Sequence, residues 1–150
     1  MVVLVIVGIL ASVMTISSRP DPHRQLALQA ERVGLLMGLA ADEARLRRAP
    51  IFWEADLRGY RFVQDVDGSR TTFAGDDMLR ERAWEPALNR LAVVDLASGT
   101  VRTLLNSEAP ALRVSAGREW VQPRWRLELA NEFTSVAMEF DANGHAGLVP

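Results

Sequence analysis

Residues 21–50 read DPHRQLALQAERVGLLMGLAADEARLRRAP, and this stretch determines the fold class of the chain. Apolar residues recur along it at alternating spacings of four and three, which is typical of an amphipathic α-helix with one buried face. This apolar stripe consists of Leu26, Ala30, Val33, Met37, Ala40 and Ala44. Asp21 is predicted to cap the helix, with Pro22 at its first position, and Pro50 ends the pattern after about Arg48.

Two glycines, Gly34 and Gly38, lie four residues apart in this predicted helix. In membranes a G-x-x-x-G pair brings helices together, but residues 21–50 carry too many charges to span a bilayer. A coiled coil is the weaker alternative, since the stripe lasts barely three heptads and has small residues at its seam. We therefore expect the helix to approach a β-sheet closely. The predicted contact positions are Leu26, Val33, Gly34, Met37, Gly38, Ala40 and Ala44.

The segment MVVLVIVGILASVMTISS, residues 1–18, carries no charge, whereas all charged residues lie at positions 19–150. As a helix it would span about 27 Å, close to the ~30 Å hydrocarbon core of a bilayer. A signal peptide would need a basic start and a small-x-small cleavage site, and a buried helix that is apolar on all faces would need a larger protein around it. We therefore predict a membrane anchor. Its apolar positions are Val3, Leu4, Ile6, Val7, Ile9, Leu10 and Val13.

After Pro50 the pattern changes to short alternating runs separated by turn residues, which predicts antiparallel β-structure. The predicted turns are Asp67-Gly68, Ala97-Ser98-Gly99 and Asn143-Gly144. The predicted strands are 60–64, 71–73, 91–96, 100–105, 125–129, 135–140 and 147–149. The sequence thus predicts an α+β fold in which a long N-terminal helix packs on an antiparallel β-sheet domain. Its parts are residues 1–18, 19–49 and 50–150.

Composition excludes several classes of function. The net charge of −2 argues against a nucleic-acid partner, because binding to phosphates normally requires a basic surface. Cysteine is absent, so disulfides, thiolate nucleophiles and cysteine-ligated metals are excluded. The chain has no G-x-S-x-G nucleophile motif and no glycine-rich phosphate loop, and its two histidines, His23 and His145, are too few for a histidine-rich metal centre. We expect neither enzymatic activity nor a cofactor.

One short acidic sequence resembles part of a calcium-binding loop, namely Asp65-x-Asp67-Gly68. The apolar Val63 and Ala74 fall where such a loop needs its first and last oxygen ligands, so a hairpin turn is favoured.

The remaining polar and aromatic candidates are predicted to have structural rather than functional roles. Asp76 and Asp77 are assigned to a solvated loop. The four tryptophans are interpreted as core and rim aromatics rather than base-stacking platforms. They are Trp53, Trp84, Trp120 and Trp125.

The apolar start, joined to the amphipathic helix, resembles the hydrophobic arm of type IV pilin-like proteins. The segments AERVGLLMGLAADEARLRR at 30–48, Pro50-Ile51 and Gly59-Tyr60-Arg61-Phe62 are similar to the minor pseudopilin H family of type II secretion and the related FimT-like minor pilins. Trp84-x-Pro86 and the final strand pairs fit the same family. The resemblance covers essentially the whole chain and implies a pilin-like fold.

This resemblance implies a structural subunit without catalytic, cofactor or metal sites. The apolar helix would hold the protein in the bacterial inner membrane, among its lipids, with the C-terminal domain in the periplasm. It would then pack with other subunits in a short filament whose tip complex drives protein export. The implied partners are the minor pseudopilins I, J and K and the major pseudopilin G.

The family's basic leader, cleavage-site glycine and early glutamate have no counterpart in this sequence. We therefore expect the reading frame to continue upstream of Met1, and a leader peptidase to act on that missing segment. Two alternatives remain open at the level of sequence. One is a minor pilin of a type IV pilus, and the other is a membrane-anchored periplasmic binding domain outside any filament.

Overall fold

A computed structural model describes residues 21–117 and 123–150, in which one α-helix is followed by ten β-strands. The helix α1 spans Pro22–Arg47. The strands are β1 (Ile51–Ala55), β2 (Gly59–Val66), β3 (Ser69–Thr72), β4 (Arg82–Ala83), β5 (Arg90–Asp95), β6 (Val101–Leu104), β7 (Leu112–Ala116), β8 (Trp125–Ala130), β9 (Ser135–Phe140) and β10 (Ala146–Val149). This arrangement confirms the α+β class. The predicted anchor at 1–18 lies outside the described residues.

The N-terminal end of α1 is set by the residues that the sequence pattern singles out, whereas its C-terminal end is set by Arg48. The Asp21 carboxylate accepts a hydrogen bond from the backbone N–H of His23 at 3.0 Å, and Pro22 begins the helix, where a missing N–H costs nothing. Arg48 takes the left-handed conformation at φ 53° and its N–H bonds back to the last turn. The helix prediction is confirmed to within one residue at its end. In residues 21–117 and 123–150, no helix is both long and apolar enough to cross a membrane.

The strands form two antiparallel sheets. The first sheet has the order β3-β2-β1-β7, with the short β4 also paired to β2, and the second has the order β10-β9-β8-β5-β6. Helix α1 contacts β8, β9 and β10 of the second sheet and β1 and β7 of the first. The helix therefore lies across both sheets, and its buried face completes their shared core.

The three predicted turns are confirmed. Asp67 and Gly68 both have positive φ in the β2–β3 hairpin, as a two-residue turn of this type requires. Gly99 and Gly144 also take the left-handed conformation, between β5 and β6 and between β9 and β10. Strands β1, β4 and β7 were not predicted.

Aromatic side chains join the two sheets. The rings of Trp53 in β1 and Trp125 in β8 lie 6.3 Å apart, and Trp125 stacks on Phe140 at 3.9 Å. Trp84 packs on Tyr60 with ring centroids 4.7 Å apart, and its Nε1 donates to the Asp56 carbonyl at 2.8 Å. The three described tryptophans are thus buried core residues, as predicted, while Trp120 lies outside the described residues.

Candidate functional site

The two opposite faces of α1 are the part of the structure that bears most directly on function. One face is buried against both sheets. The buried residues of the predicted stripe are Leu26, Ala30, Val33, Met37, Ala40 and Ala44. They recur every three or four residues, so they form one continuous strip along the 26-residue helix. This strip fixes the rotation of α1 about its own axis and thereby determines which residues face outward.

The two glycines of α1 have different environments. A Cβ atom at Gly34 would lie 2.8 Å from the Cβ of Ala146 and 3.0 Å from the Sδ of Met138, so glycine is needed for this contact with β9 and β10. A Cβ atom at Gly38 would meet nothing within 4 Å, and Gly38 is only half-buried. Of the predicted contact positions, Gly38 is therefore the one that the structure corrects. It lies beside the buried strip rather than in it.

The face opposite the buried strip carries a row of exposed leucines, which we call the leucine row. Its members are Leu28, Leu35, Leu39 and Leu46, and they are between 38% and 80% exposed. Their spacings of seven, four and seven residues place them on one side of the helix, along about 27 Å of its length. Isolated exposed leucines are common on protein surfaces, but an aligned apolar row indicates a surface that another molecule covers.

Charged residues border the leucine row without interrupting it. Arg32 and Asp42 lie at its sides, on the exposed part of α1. Near its C-terminal end, Arg45 Nη1 contacts Asp42 Oδ1 at 3.0 Å, and Arg47 Nε contacts Glu43 Oε1 at 2.5 Å. Exposed pairs of this kind add little stability, but they neutralise charge beside the row. These two ion pairs near the C-terminal end can therefore persist when the row is covered.

Sequence reasoning missed the leucine row because it searched for one apolar stripe. The spacing of seven, four and seven is visible in the sequence, and a search for a second helical stripe opposite the first would have found it. The predicted membrane and assembly positions Val3, Leu4, Ile6, Val7, Ile9, Leu10 and Val13 lie outside the described residues.

The polar residues considered as candidate sites have local roles. His145 Nδ1 lies 3.3 Å from Asp141 Oδ2, and the backbone N–H of His145 donates to Asp141 Oδ1, which lowers the pKa of this carboxyl group. Asp76 accepts hydrogen bonds from the backbone N–H groups of Leu79 and Met78, so it organises a turn rather than a metal site.

Within the described ranges, no group of three or more His, Cys, Asp or Glu side chains is arranged to hold a metal ion. The Asp65-x-Asp67-Gly68 sequence forms the predicted hairpin turn between β2 and β3.

In comparisons with known proteins, no family model, no curated protein and no solved structure matches this chain.

Proposed function

We propose that this chain is a structural subunit of a pilin-like filament, a minor pseudopilin of type II secretion. In this proposal residues 1–18 hold the protein in the inner membrane and then pack among the helices of neighbouring subunits. The described domain lies in the periplasm, near the filament tip. Its partners are the minor pseudopilins I, J and K and the major pseudopilin G.

The leucine row is the observation that carries the proposal. It lies on the helix that follows the uncharged run 1–18 in the chain, with Leu28 ten residues after Ser18. The apolar sequence of residues 1–18 and the leucine row on the outward face of α1 give two consecutive segments that other subunits can cover. The domain's own core uses the opposite face of α1, so folding and assembly use different residues of one helix.

The size of the row suits assembly at a membrane. Full burial of a leucine side chain contributes roughly 1.5–3 kcal/mol, and these side chains are already partly covered. The row would thus contribute on the order of 5 kcal/mol before the cost of association is subtracted, which is too little for stable dimers in dilute solution. Subunits that a membrane anchor concentrates in one plane need no stronger contact, because their effective concentration is already high.

The test is complementation of a strain that lacks the gene. Leu35→Glu together with Leu39→Glu places two charges in the leucine row and leaves the buried strip intact. We expect this variant to accumulate normally and to lose protein export. Phe133→Glu controls for the effect of one added surface charge, because Phe133 is 72% exposed against 77% for Leu35 but lies in the loop between β8 and β9.

Normal export with the double variant would contradict an assembly role for the row. Loss of pilus-dependent motility with export unchanged would assign the subunit to a type IV pilus instead. Loss of export with Phe133→Glu alone would place the essential surface elsewhere on the domain.

A further inference from the structure

The side of the first sheet that faces away from the core carries a cluster of charged residues. This cluster is separate from the leucine row. Trp53 and Ala55 in β1 face the apolar core, so Glu54 between them faces away from it. Glu54 is nevertheless only 4% exposed. A buried carboxylate requires compensation by hydrogen bonds and opposite charge. The arginines around Glu54 provide it.

Three arginines surround this carboxylate. Arg61 in β2 and Arg113 in β7 are directly opposite Glu54 in the strand register, one on each side. Arg61 Nε donates to Glu54 Oε2 at 3.2 Å, and Arg113 Nε lies 3.7 Å from Oε1. Arg70 in β3 donates from Nη2 to Oε1. We call Arg61, Arg70 and Arg113 the arginine face.

The three arginines of the arginine face outnumber the carboxylates that they contact. Arg113 also donates to Asp65, so three guanidinium groups face two carboxylates. Arg102 in β6 lies beside the edge strand β7, where its Nη2 donates to the backbone carbonyl of Arg113 at 3.0 Å. The side chains of the three face arginines are 39–50% exposed, so part of each five-donor guanidinium remains available.

The arginine face is held in place before any ligand arrives. The Arg113 guanidinium lies 3.8 Å from the centroid of the Phe52 ring, and Glu54 and Asp65 fix other parts of the face. Groups that are already ordered lose less conformational entropy on binding, so a ligand that contacts these arginines would pay less to order them. Planar, pre-oriented guanidinium groups match the geometry of carboxylates.

We propose that the arginine face binds carboxylate groups of an acidic, extended segment of a partner protein. Arg61 and Arg113 flank β1, so their backbones are about 10 Å apart on a flat sheet, and same-side residues of an extended segment recur about every 7 Å. Arginine side chains are long enough to reach two such carboxylates. The net charge of −2 on the whole chain disfavours a long polyphosphate, whereas a local positive face selects a short acidic segment.

The test uses the full 150-residue chain in a non-ionic detergent and a labelled oligoglutamate as the probe, with binding followed by fluorescence anisotropy. We expect salt-sensitive binding that Arg61→Gln and Arg113→Gln each weaken about tenfold, the effect of losing one charge-assisted hydrogen bond. Arg80→Gln, at an exposed arginine outside the face, should leave the affinity unchanged. Circular dichroism establishes that each variant is folded.

Glu54→Gln separates binding from folding. It removes the central negative charge but keeps the shape of the side chain and an oxygen that accepts from an arginine, so we expect oligoglutamate to bind more tightly, a gain that unfolding cannot produce. Four outcomes would overturn the proposal: no binding by the native chain, an equal loss with Arg80→Gln, no gain with Glu54→Gln, or tighter binding of a single-stranded DNA oligonucleotide of matched charge.

Discussion

Gly34 of α1 lies so close to Ala146 of β10 that an added Cβ atom would be 2.8 Å from the alanine Cβ. Gly38, one turn further along the same helix, would accept a Cβ atom with nothing within 4 Å. Glycine at position 34 allows the helix to approach the second sheet closely. Position 38 does not require glycine for this approach. This contact fixes the position of the helix on the sheet, and with it the outward direction of the leucine row.

We predict opposite effects of alanine at these two glycines. Overpacking by Gly34→Ala should lower the free energy of unfolding by about 1–3 kcal/mol. The better helix propensity of alanine offsets up to ~1 kcal/mol of this loss. Gly38→Ala gains the propensity without the clash, so it should stabilise the domain by about 0.5–1 kcal/mol. Urea denaturation measures both. Equal effects of the two substitutions would contradict the described contact of Gly34.

Leucines on the two faces of α1 should respond differently to truncation. Leu26 is fully buried, so Leu26→Ala should cost about 2–5 kcal/mol of unfolding free energy. Leu28 lies two residues away in the leucine row, and Leu28→Ala should change stability by no more than about 0.5 kcal/mol. Thermal and urea unfolding of this matched pair test the rotation of the helix. A large loss from Leu28→Ala would mean that the row belongs to the domain core.

Tyr60 is the only tyrosine of the chain, so its phenol can be titrated directly by ultraviolet absorbance. Burial raises the pKa of Tyr60, while the charges of Arg82 and Arg32 act in the opposite direction. A raised pKa favours the neutral phenol in the folded state. The stability that the neutral Tyr60 phenol contributes is therefore fully present below about pH 10 and is lost as the pH rises through the folded-state pKa. A phenol that titrates at or below its ordinary pKa would contradict the dominance of burial over these two charges.

Removal of the Tyr60 hydroxyl group should not destabilise the protein. Among the described residues this buried hydroxyl has no hydrogen-bond partner, and an unsatisfied buried polar group costs stability. Tyr60→Phe should therefore leave the free energy of unfolding unchanged or raise it by about 1 kcal/mol. A clear decrease in chemical denaturation experiments would reveal a hydrogen bond that the phenylalanine cannot make.

Stability should fall in acid through aspartates that organise turns. Hydrogen bonds from the backbone N–H groups of Ser98 and Ala97 lower the pKa of Asp95, which closes the β5–β6 hairpin. The pKa of Asp95 is lower in the folded state than in the unfolded state. The stability that its carboxylate contributes is therefore fully present above about pH 4 and is lost as the pH falls through the folded-state pKa. Asp95→Asn should therefore show a smaller loss of stability between about pH 5 and pH 2 than the native chain. Asp77→Asn, in an exposed loop, is the control, and an equal reduction in both variants would remove this explanation.

The sequence predicted the local features of the fold well. Helix α1 has a clear period, a capping aspartate and a terminating proline, and the hairpins have glycines at turns. Such features depend on residues close together in the chain. Strand β7 has five residues and no hairpin partner, so its pairing with β1 could not be recognised. Strand β1 does form a hairpin with β2, but its start Ile51-Phe52-Trp53 is a short apolar run without the alternation that identifies a strand.

The division into two sheets depends on pairing between distant segments. Strand β5 pairs with its hairpin partner β6 on one side and with the distant β8 on the other, and β1 pairs with the distant β7. No local pattern specifies these pairings. The arginine face could not be predicted for the same reason, because Glu54 and Arg113 meet only through the β1–β7 register. The leucine row differs from it, since its spacing is present in the sequence and only its exposure required the structure.

The most direct test of the account is site-specific cross-linking from the leucine row in assembling cells. The chain has no cysteine, so Leu35→Cys introduces a single attachment point for a photoactivatable cross-linker. Phe133→Cys, at 72% exposure against 77% for Leu35, is the control. We expect adducts between the Leu35 position and pseudopilin subunits, at a yield well above that from the Phe133 position. Adducts at equal yield from both positions, or none from Leu35 with a pseudopilin, would contradict it.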